Sequence, residues 1–334
     1  MPSALILGGT GLLGRATALR LAAAGWSVTV TGRDPRRMPS DLLAAGVRHV
    51  PSDRRDPRAL AAVVGAGTDL LVDALCFTAD DARSVLPHLG DVGSTVMFSS
   101  KAVYVDAEGR HINSPERPRF GGPVREGTAT LEPAWDGLYR SREGYGRNKV
   151  AAERVLLGSG HPVSVLRASK VHGVGAASPR EWHFVRRVLD GRRVVLLAHG
   201  GRGADHPTAA VNAAALVETV AARPGRRVLN AADPDTPTGR DIARLVAATL
   251  GHEWEEVLVE GGEPGWHPWD VVPPIELDLT AAEALGYRPV GGYADTARPA
   301  IEWAASFGLT PPWAADVEES DFDYAAEDAY LANR

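Results

Sequence analysis

Cysteine is almost missing from this chain. Cys76 is the only one in 334 residues, so no internal disulfide can form, and a reducing compartment is expected. Long hydrophobic runs are missing as well. No apolar stretch approaches the roughly 20 residues needed to cross a bilayer. Leu5 to Leu7 is too short, and lacks the basic start, for a secretory leader. A cytoplasmic protein with no membrane partner is therefore expected. An excess of positive charge is the third absence: 36 Lys and Arg stand against 42 Asp and Glu, a net charge of −6. Such a chain offers no general attraction to nucleic acid or acidic membrane surfaces. There is no low-complexity tract and no internal repeat. What remains is a globular composition, 44% hydrophobic, long enough for one large or two modest domains.

Against that background one stretch stands out, Leu5-Ile6-Leu7-Gly8-Gly9-Thr10-Gly11-Leu12-Leu13-Gly14. A short apolar strand runs into a glycine cluster, and an alanine-rich helical pattern follows at once. Gly8, Gly11 and Gly14 have the spacing of a dinucleotide loop. The first allows a tight turn, the second a close approach of backbone to pyrophosphate, the third close packing of helix on strand. Free N–H groups at the helix start, at the positive end of its dipole, would receive the phosphates.

Strand and helix patterns alternate through the first half. Strands are expected at Ala4–Leu7, Ser27–Thr31, Val47–Val50, Asp69–Leu75, Thr95–Ser99 and Val163–Arg167. Helices are expected at Gly14–Ala24, Asp41–Ala45, Pro57–Val64, Ala79–Leu89 and Tyr145–Leu157. This order predicts an α/β fold, a Rossmann-type doubly wound parallel sheet with ligand at the carboxyl ends of its strands. Residues 106–138 are polar and rich in Pro, Gly and Arg, and loops of that length are usually functional or mobile. After Ser169 the alternation becomes irregular and the tryptophans gather late. The expected division is a nucleotide-binding domain over 1–170, with a returning segment near 206–232. A smaller C-terminal α/β substrate-binding lid is expected over 171–205 and 233–334. The acidic tail, Asp316 to Asp328, reads as a solvated terminal segment.

Chemistry is expected where Ser99-Ser100-Lys101-Ala102-Val103-Tyr104 leaves the fifth strand, and at Tyr145-Gly146-Arg147-Asn148-Lys149 on the next helix. Tyr145 and Lys149 are four apart and share a helix face. Tyrosine is a poor base at neutral pH. A neighbouring ammonium favours the phenolate, and such a tyrosine can exchange a proton with a hydroxyl or carbonyl oxygen. A serine hydroxyl from the strand end can hold the same oxygen. At the end of the second strand stand Arg33, Arg36 and Arg37. Arginine there pairs with a 2′-phosphate, whereas an acidic residue favours the free ribose hydroxyls. NADP is favoured over NAD, with Asp34 as the argument for NAD.

On these residues the chain resembles the extended short-chain dehydrogenase/reductase superfamily. Val165-Leu166-Arg167 with Val171-His172-Gly173, and Leu277-Asp278-Leu279 with Ala284-Leu285-Gly286-Tyr287-Arg288-Pro289, look like two further family segments. Asp53-Arg54-Arg55-Asp56-Pro57 and Phe322–Asp328 carry a narrower likeness to epimerase/dehydratase-like proteins, including relatives of chloroplast stem-loop-binding proteins. The resemblance implies Ser100, Tyr145 and Lys149 as the catalytic residues. It implies a cofactor site made of Gly8, Gly11, Leu12, Leu13, Gly14, Arg33, Arg36, Arg37, Asp53, Arg54, Leu75, Cys76, Phe77, Ser99, Lys149, Ala168 and Val171. Asp53 and Arg54 would lie by the adenine. Leu75, Cys76 and Phe77 would lie by the nicotinamide ribose, with Cys76 as a wall residue and not a nucleophile.

The implied reaction is NAD(P)-dependent hydride transfer at a hydroxyl or keto carbon of a sugar nucleotide or related secondary metabolite. Lys101-Ala102 stand where sugar dehydratases of the superfamily carry Asp-Glu, which argues against 4,6-dehydration. Substrate contacts are expected from Lys101, Tyr104, Arg140, Arg142, Trp182, His183, Arg186, Arg202 and His206. His252, Trp266, His267, Trp269 and Asp270 lack metal-ligand spacing, so no metal is expected. Two alternatives stay open. One is an NAD-dependent sugar-nucleotide epimerase that retains its cofactor. The other is a non-catalytic nucleotide- or RNA-binding relative, which the acidic balance disfavours. The family often dimerises through the helices at Ala79–Leu89 and Tyr145–Leu157. Here they carry Asp80, Asp81, Arg83, Arg147 and Glu153, so the oligomeric expectation is a monomer or a homodimer.

Overall fold

The computed structural model describes residues 1–65, 67–316 and 319–334. They form two compact units. The first holds Met1–Val171, Ala210–Ala232 and Leu277–Val290, and the second holds His172–Ala209, Asp233–Glu276 and Gly291–Arg334.

Seven parallel strands build the first unit: β1 (Ser3–Leu7), β2 (Ser27–Gly32), β3 (Arg48–Pro51), β4 (Thr68–Asp73), β5 (Val92–Ser100), β6 (Val163–Ala168) and β7 (Arg227–Ala231). Their order is β7-β6-β5-β4-β1-β2-β3. The chain winds outward from β1 in one direction and from β4 in the other. The switch point therefore lies between the carboxyl ends of β1 and β4, where Leu7 pairs with Asp73, the place such sheets bind ligands. Alternate residues feed two separate cores. Ile6, Val30, Val72 and Phe98 pack on one face, and Leu5, Leu7, Leu71 and Val165 on the other. A sheet buried on both faces explains why its strands read as nearly continuous apolar runs. The longer helices of this unit are α1 (Leu12–Ala23), α2 (Pro57–Val64), α3 (Ala79–Val85), α4 (Arg142–Leu157) and α5 (Ala210–Ala221). α1 packs against α5. Small side chains on both, among them buried Ala18, Ala213 and Ala214, allow that approach.

One segment, Leu277–Val290, departs from the expected division, whereas a returning segment was expected near 206–232. The returning segment is Ala210–Ala232, and its strand Arg227–Ala231 extends the main sheet beside β6. Leu277–Val290, expected in the lid, also belongs to the first unit. Asn230 on β7 donates to the carbonyls of Val124 and Asp278. That side chain stitches three stretches far apart in sequence, a pairing no local pattern announces. The long loop after β5 is also more ordered than its composition suggests. Asp106 is buried at its start and accepts from the Arg110 and Arg119 amides and from the Arg110 guanidinium. Burial works to raise the Asp106 carboxyl, but those donors outweigh it and hold it at about 2.

The second unit has a small parallel pair, Val194–Leu197 with Glu255–Leu258. Helices Trp182–Leu189, Gly239–Thr249 and Tyr293–Ala305 surround an aromatic core of Trp182, Phe184, Trp269, Tyr293 and Trp313. The acidic tail corrects the sequence reading. Its helix Tyr324–Ala332 is docked by ion pairs, Arg187 to Glu327 at 2.7 Å and Arg192 to Asp328 at 2.5 Å. Its acidic residues therefore meet arginines of this unit, and the Arg187–Glu327 pair is removed from solvent. Val317 and Glu318, also in that tail, lie outside the described residues.

Candidate active site

The turn after β1 is shaped by what its glycines exclude. Gly8 has φ +79, a left-handed conformation that side chains rarely adopt. A Cβ on Gly14 would lie 2.5 Å from the Gly8 carbonyl oxygen and 2.7 Å from the Gly9 Cα. Helix α1 can sit on the turn only because Gly14 has none. Gly11 is different. Its φ is −82, and a Cβ there would find nothing nearer than 3.5 Å. Nothing in the protein itself demands glycine at this position. Gly11 is also the N-cap of α1, and no side chain caps that helix. The first N–H groups of α1 are left for another acceptor. An exposed glycine at an uncapped helix start fits the pyrophosphate of a dinucleotide. Leu12 and Leu13, the first two residues of α1, are half-buried beside it.

Helix α4 carries Tyr145 and Lys149 one turn apart. Its start is closed by the Ser141 side chain, which accepts from the Gly144 amide. The glycines flanking Tyr145 allow a close approach that sequence reasoning did not foresee. A Cβ on Gly146 would lie 2.4 Å from the Ala102 carbonyl oxygen, and one on Gly144 would meet the Leu138 carbonyl. Through Gly146, α4 presses on the tight turn Lys101–Val103 that directly follows Ser100. Ser100 ends β5, and its hydroxyl accepts from the Ala102 amide at 3.2 Å. Tyr145 is half-buried. Lys149 is buried, and its ammonium donates to the carbonyls of Cys76 and Phe98, both at 2.8 Å. It lies 4.4 Å from the Phe77 ring centroid and 6.0 Å from that of Tyr145.

A third member of the same helix face, Glu153, follows Lys149 by one more turn. Glu153 accepts from the Ser99 hydroxyl and forms a buried two-bond ion pair with Arg167 of β6. Its spacing from Tyr145 and Lys149 is readable in the sequence, but its charge reads there as part of an outward helix face. Ser99 thus points its side chain at Glu153, where it belongs to the α4–β5 bridge and is not offered to a cofactor. Tyr104 is corrected in the same way. It is 1% exposed, its hydroxyl donates to Asn230, and its ring lies 4.7 Å from the Arg167 guanidinium. Burial pushes its phenol up to about 12 against the pull of Arg167. Lys101 is buried in the turn after Ser100.

At the switch point, Leu75 is partly exposed and Phe77 is half-buried. Phe77 stacks on Tyr139 of the long loop at 4.9 Å and 16°. Tyr139 was missed, because a lone aromatic in a polar loop carries no periodicity. Exposed Arg140 lies 5.7 Å from the Tyr139 ring, and Arg142 opens α4. Cys76 is fully buried, so its thiol is not a wall of the site; burial raises its pKa well above the usual thiol value. Its backbone carbonyl is what serves Lys149. Arg54, expected by the adenine, also turns inward, with two bonds to Asp73 and one to the Asp81 carbonyl. Asp53 remains exposed. Ala168 ends β6, buried, and Val171 follows half-buried.

At the end of β2, Arg33 and Arg37 are exposed. Arg36 forms two side-chain bonds with Asp34, both at 3.0 Å. The Arg36 guanidinium and amide hold the Asp34 carboxyl below its ordinary value.

The expected substrate residues of the second unit differ among themselves. Arg202 is exposed. Trp182 is 3% exposed and belongs to the aromatic core. His183 is packed among Phe184, Trp266 and Phe322, and burial pushes its imidazole pKa well down. His206 is buried and donates to the Asp233 carbonyl at 2.7 Å. For His183 and His206 the structure supplies packing and bracing roles in place of the expected exposed contacts. Among the described residues no three His, Cys, Asp or Glu gather as a metal site, and no helix is long and apolar enough to cross a membrane.

Residues 4–205 match the model of the NAD dependent epimerase/dehydratase family. The chain belongs to this family, whose members are enzymes. Its fold is that of solved family structures. UDP-glucose 4-epimerase from Thermotoga maritima, solved with UDP-glucose, superposes with a TM-score of 0.69 at 15% identity, covering 91% of this chain and 99% of that one. dTDP-glucose 4,6-dehydratase from Bacillus anthracis, solved with NAD, gives 0.66 at 13% identity, covering 92% and 98%. UDP-N-acetylglucosamine 4-epimerase from Methanobrevibacter ruminantium, solved with UDP-N-acetylmuramic acid, gives 0.66 at 15%, covering 92% and 99%. No curated protein matches the chain.

Proposed function

We propose that this family member catalyses NAD(P)-dependent hydride transfer at a hydroxyl or keto carbon of a sugar nucleotide or related metabolite, with Tyr145 as the acid/base. The observation that carries the reading is the contact through Gly146, which sets the helix of Tyr145 against the turn that follows Ser100. When bound, the cofactor supplies or accepts the hydride at its nicotinamide. The Tyr145 hydroxyl gives or takes the proton at the substrate oxygen. Ser100 donates to the same oxygen and orients it. Lys149, fixed by two carbonyls beside Phe77, keeps a positive charge near the phenol and favours the phenolate when the proton leaves. Gly11 and the uncapped start of α1 hold the pyrophosphate.

NADP is the preferred cofactor in this reading. Asp34 is engaged by Arg36, so its charge is compensated and repels a 2′-phosphate less. Arg33 stands exposed at the end of β2 to pair with that phosphate. The sugar-nucleotide class draws support from the epimerases and dehydratase of the same fold. Retained NAD would favour epimerisation over simple reduction or dehydrogenation.

The test has three parts. Nucleotide released from the purified protein is identified. Affinities for NADP and NAD are measured for the wild type and Arg33→Ala. Turnover on a panel of nucleotide sugars is followed for the wild type and Tyr145→Phe. Tyr145→Phe should lose nearly all turnover while binding cofactor normally, and Arg33→Ala should weaken NADP more than NAD. Near-normal turnover in Tyr145→Phe removes the proposed proton donor. Equal NADP affinity in Arg33→Ala removes the cofactor preference.

A further inference from the structure

The second unit contains a cleft of about 400 Å³ between the helix Trp182–Leu189 and the C-terminal segments. Its volume lies within the range of small-molecule sites. Trp182, Phe322 and Tyr324 give it aromatic walls, and Leu309 and Pro311 add aliphatic surface. Leu309 is 46% exposed, an apolar side chain left open at its rim.

One cation lines it, Arg186. Arg187 and Arg192 nearby are committed to the docked tail, Arg187 to Glu327 and Arg192 to Asp328. Arg186 uses only Nε, which donates to Asp190 at 2.7 Å. Both terminal nitrogens have no hydrogen-bond partner among the described residues. Its guanidinium lies 5.7 Å from the Phe322 ring centroid. Asp190 is occupied twice, since it also accepts the Tyr324 hydroxyl at 2.7 Å.

We propose that this cleft is a binding site for a small planar aromatic carboxylate. Its ring would lie against the half-buried Phe322 and Tyr324, and its carboxylate would take N–H donors of the two terminal nitrogens of Arg186. The guanidinium fork suits a planar two-oxygen acceptor. Doubling the ligand's charge doubles both the attraction to Arg186 and the repulsion from Asp190, so the preference for a carboxylate over a tetrahedral phosphate rests on the fit of a flat two-oxygen group beside the rings. This proposal is independent of the reaction assigned to the first unit.

The experiment titrates the full-length protein calorimetrically with benzoate, benzyl alcohol and phenyl phosphate. It is repeated on Arg186→Gln and on Leu309→Glu, which places a carboxylate on the rim of the cleft. Benzoate should bind one to one with a Kd below about 1 mM, and benzyl alcohol and phenyl phosphate should each bind at least about tenfold more weakly. Each substitution should weaken benzoate by about tenfold or more and leave NAD(P) affinity unchanged. The proposal is overturned by absence of benzoate binding, by equal binding of benzyl alcohol, or by tighter binding of phenyl phosphate. Unchanged benzoate affinity in both variants also overturns it. Retained folding, checked by thermal melting of each variant, keeps a loss of binding interpretable.

Discussion

Gly11 and Gly14 lie one helical turn apart, and the structure assigns them opposite sensitivities to the same substitution. An alanine Cβ at position 14 would lie 2.5 Å from the Gly8 carbonyl oxygen and 2.7 Å from the Gly9 Cα. Both are backbone atoms of a tight turn and cannot rotate away, so α1 must shift. Overpacking of this kind costs about 1–3 kcal/mol. For a unit of this size each kcal/mol moves the midpoint by about 2–4 °C, so Gly14→Ala should melt about 2–12 °C lower. At position 11 the nearest atom is 3.5 Å away, ordinary contact, and φ is −82. Gly11→Ala should therefore keep its stability within about 1 kcal/mol of wild type. Its cofactor affinity should nevertheless fall by tenfold or more, about 1.4 kcal/mol, because the methyl group occupies space reserved for the pyrophosphate. Thermal melting without ligand and calorimetric titration with NADP and NAD measure the two effects separately. Wild-type cofactor affinity in Gly11→Ala would refute the assignment of this turn as a phosphate cradle.

Three further outcomes follow from the buried groups. Glu153→Ala strands the Arg167 charge in a site where both side chains are nearly inaccessible, and should cost about 3–5 kcal/mol in denaturant unfolding; Glu153→Met with Arg167→Met should recover most of it. Cys76 is fully buried with a raised thiol pKa, so a thiol reagent should modify it only at the rate of unfolding, and rapid labelling of the native protein would contradict its placement. The Asp106 carboxyl is held at about 2, below its ordinary 3.8. A depressed carboxylate contributes stability that is complete above the unfolded-state value and is lost as pH falls through the folded value. Asp106→Asn should therefore remove part of the stability loss seen between about pH 4 and pH 2, and an unchanged acid profile would count against that network.

Much of the first unit was legible because its signals are local. The glycine cluster after β1, the alternation of apolar strands with helices, and the four-residue spacing of Tyr145 and Lys149 all lie within short windows of sequence. The helix start was placed at Gly14 instead of Leu12, since a glycine-rich turn hides the first helical residues. The side chains that read wrongly are those whose partners are distant. Arg54 reads as an adenine contact, yet it pairs inward with Asp73, and Tyr104 reads as a substrate contact, yet its hydroxyl goes to Asn230. His183 carries no mark in the sequence of the aromatic rings that surround it.

The sequence by itself determined the fold class, the glycine turn after β1 and the spacing that sets Tyr145 and Lys149 on one helix face, because each rests on backbone conformation or on helical periodicity. Only the tertiary structure decided which polar groups face inward. It placed Leu277–Val290 with the first unit, paired Glu327 and Asp328 of the tail with arginines, and turned the side chains of Ser99, Cys76 and Arg54 inward. The physical reason is that burial and pairing are properties of long-range contacts. A charged or hydroxyl side chain declares its function only when the group that satisfies it has been brought alongside.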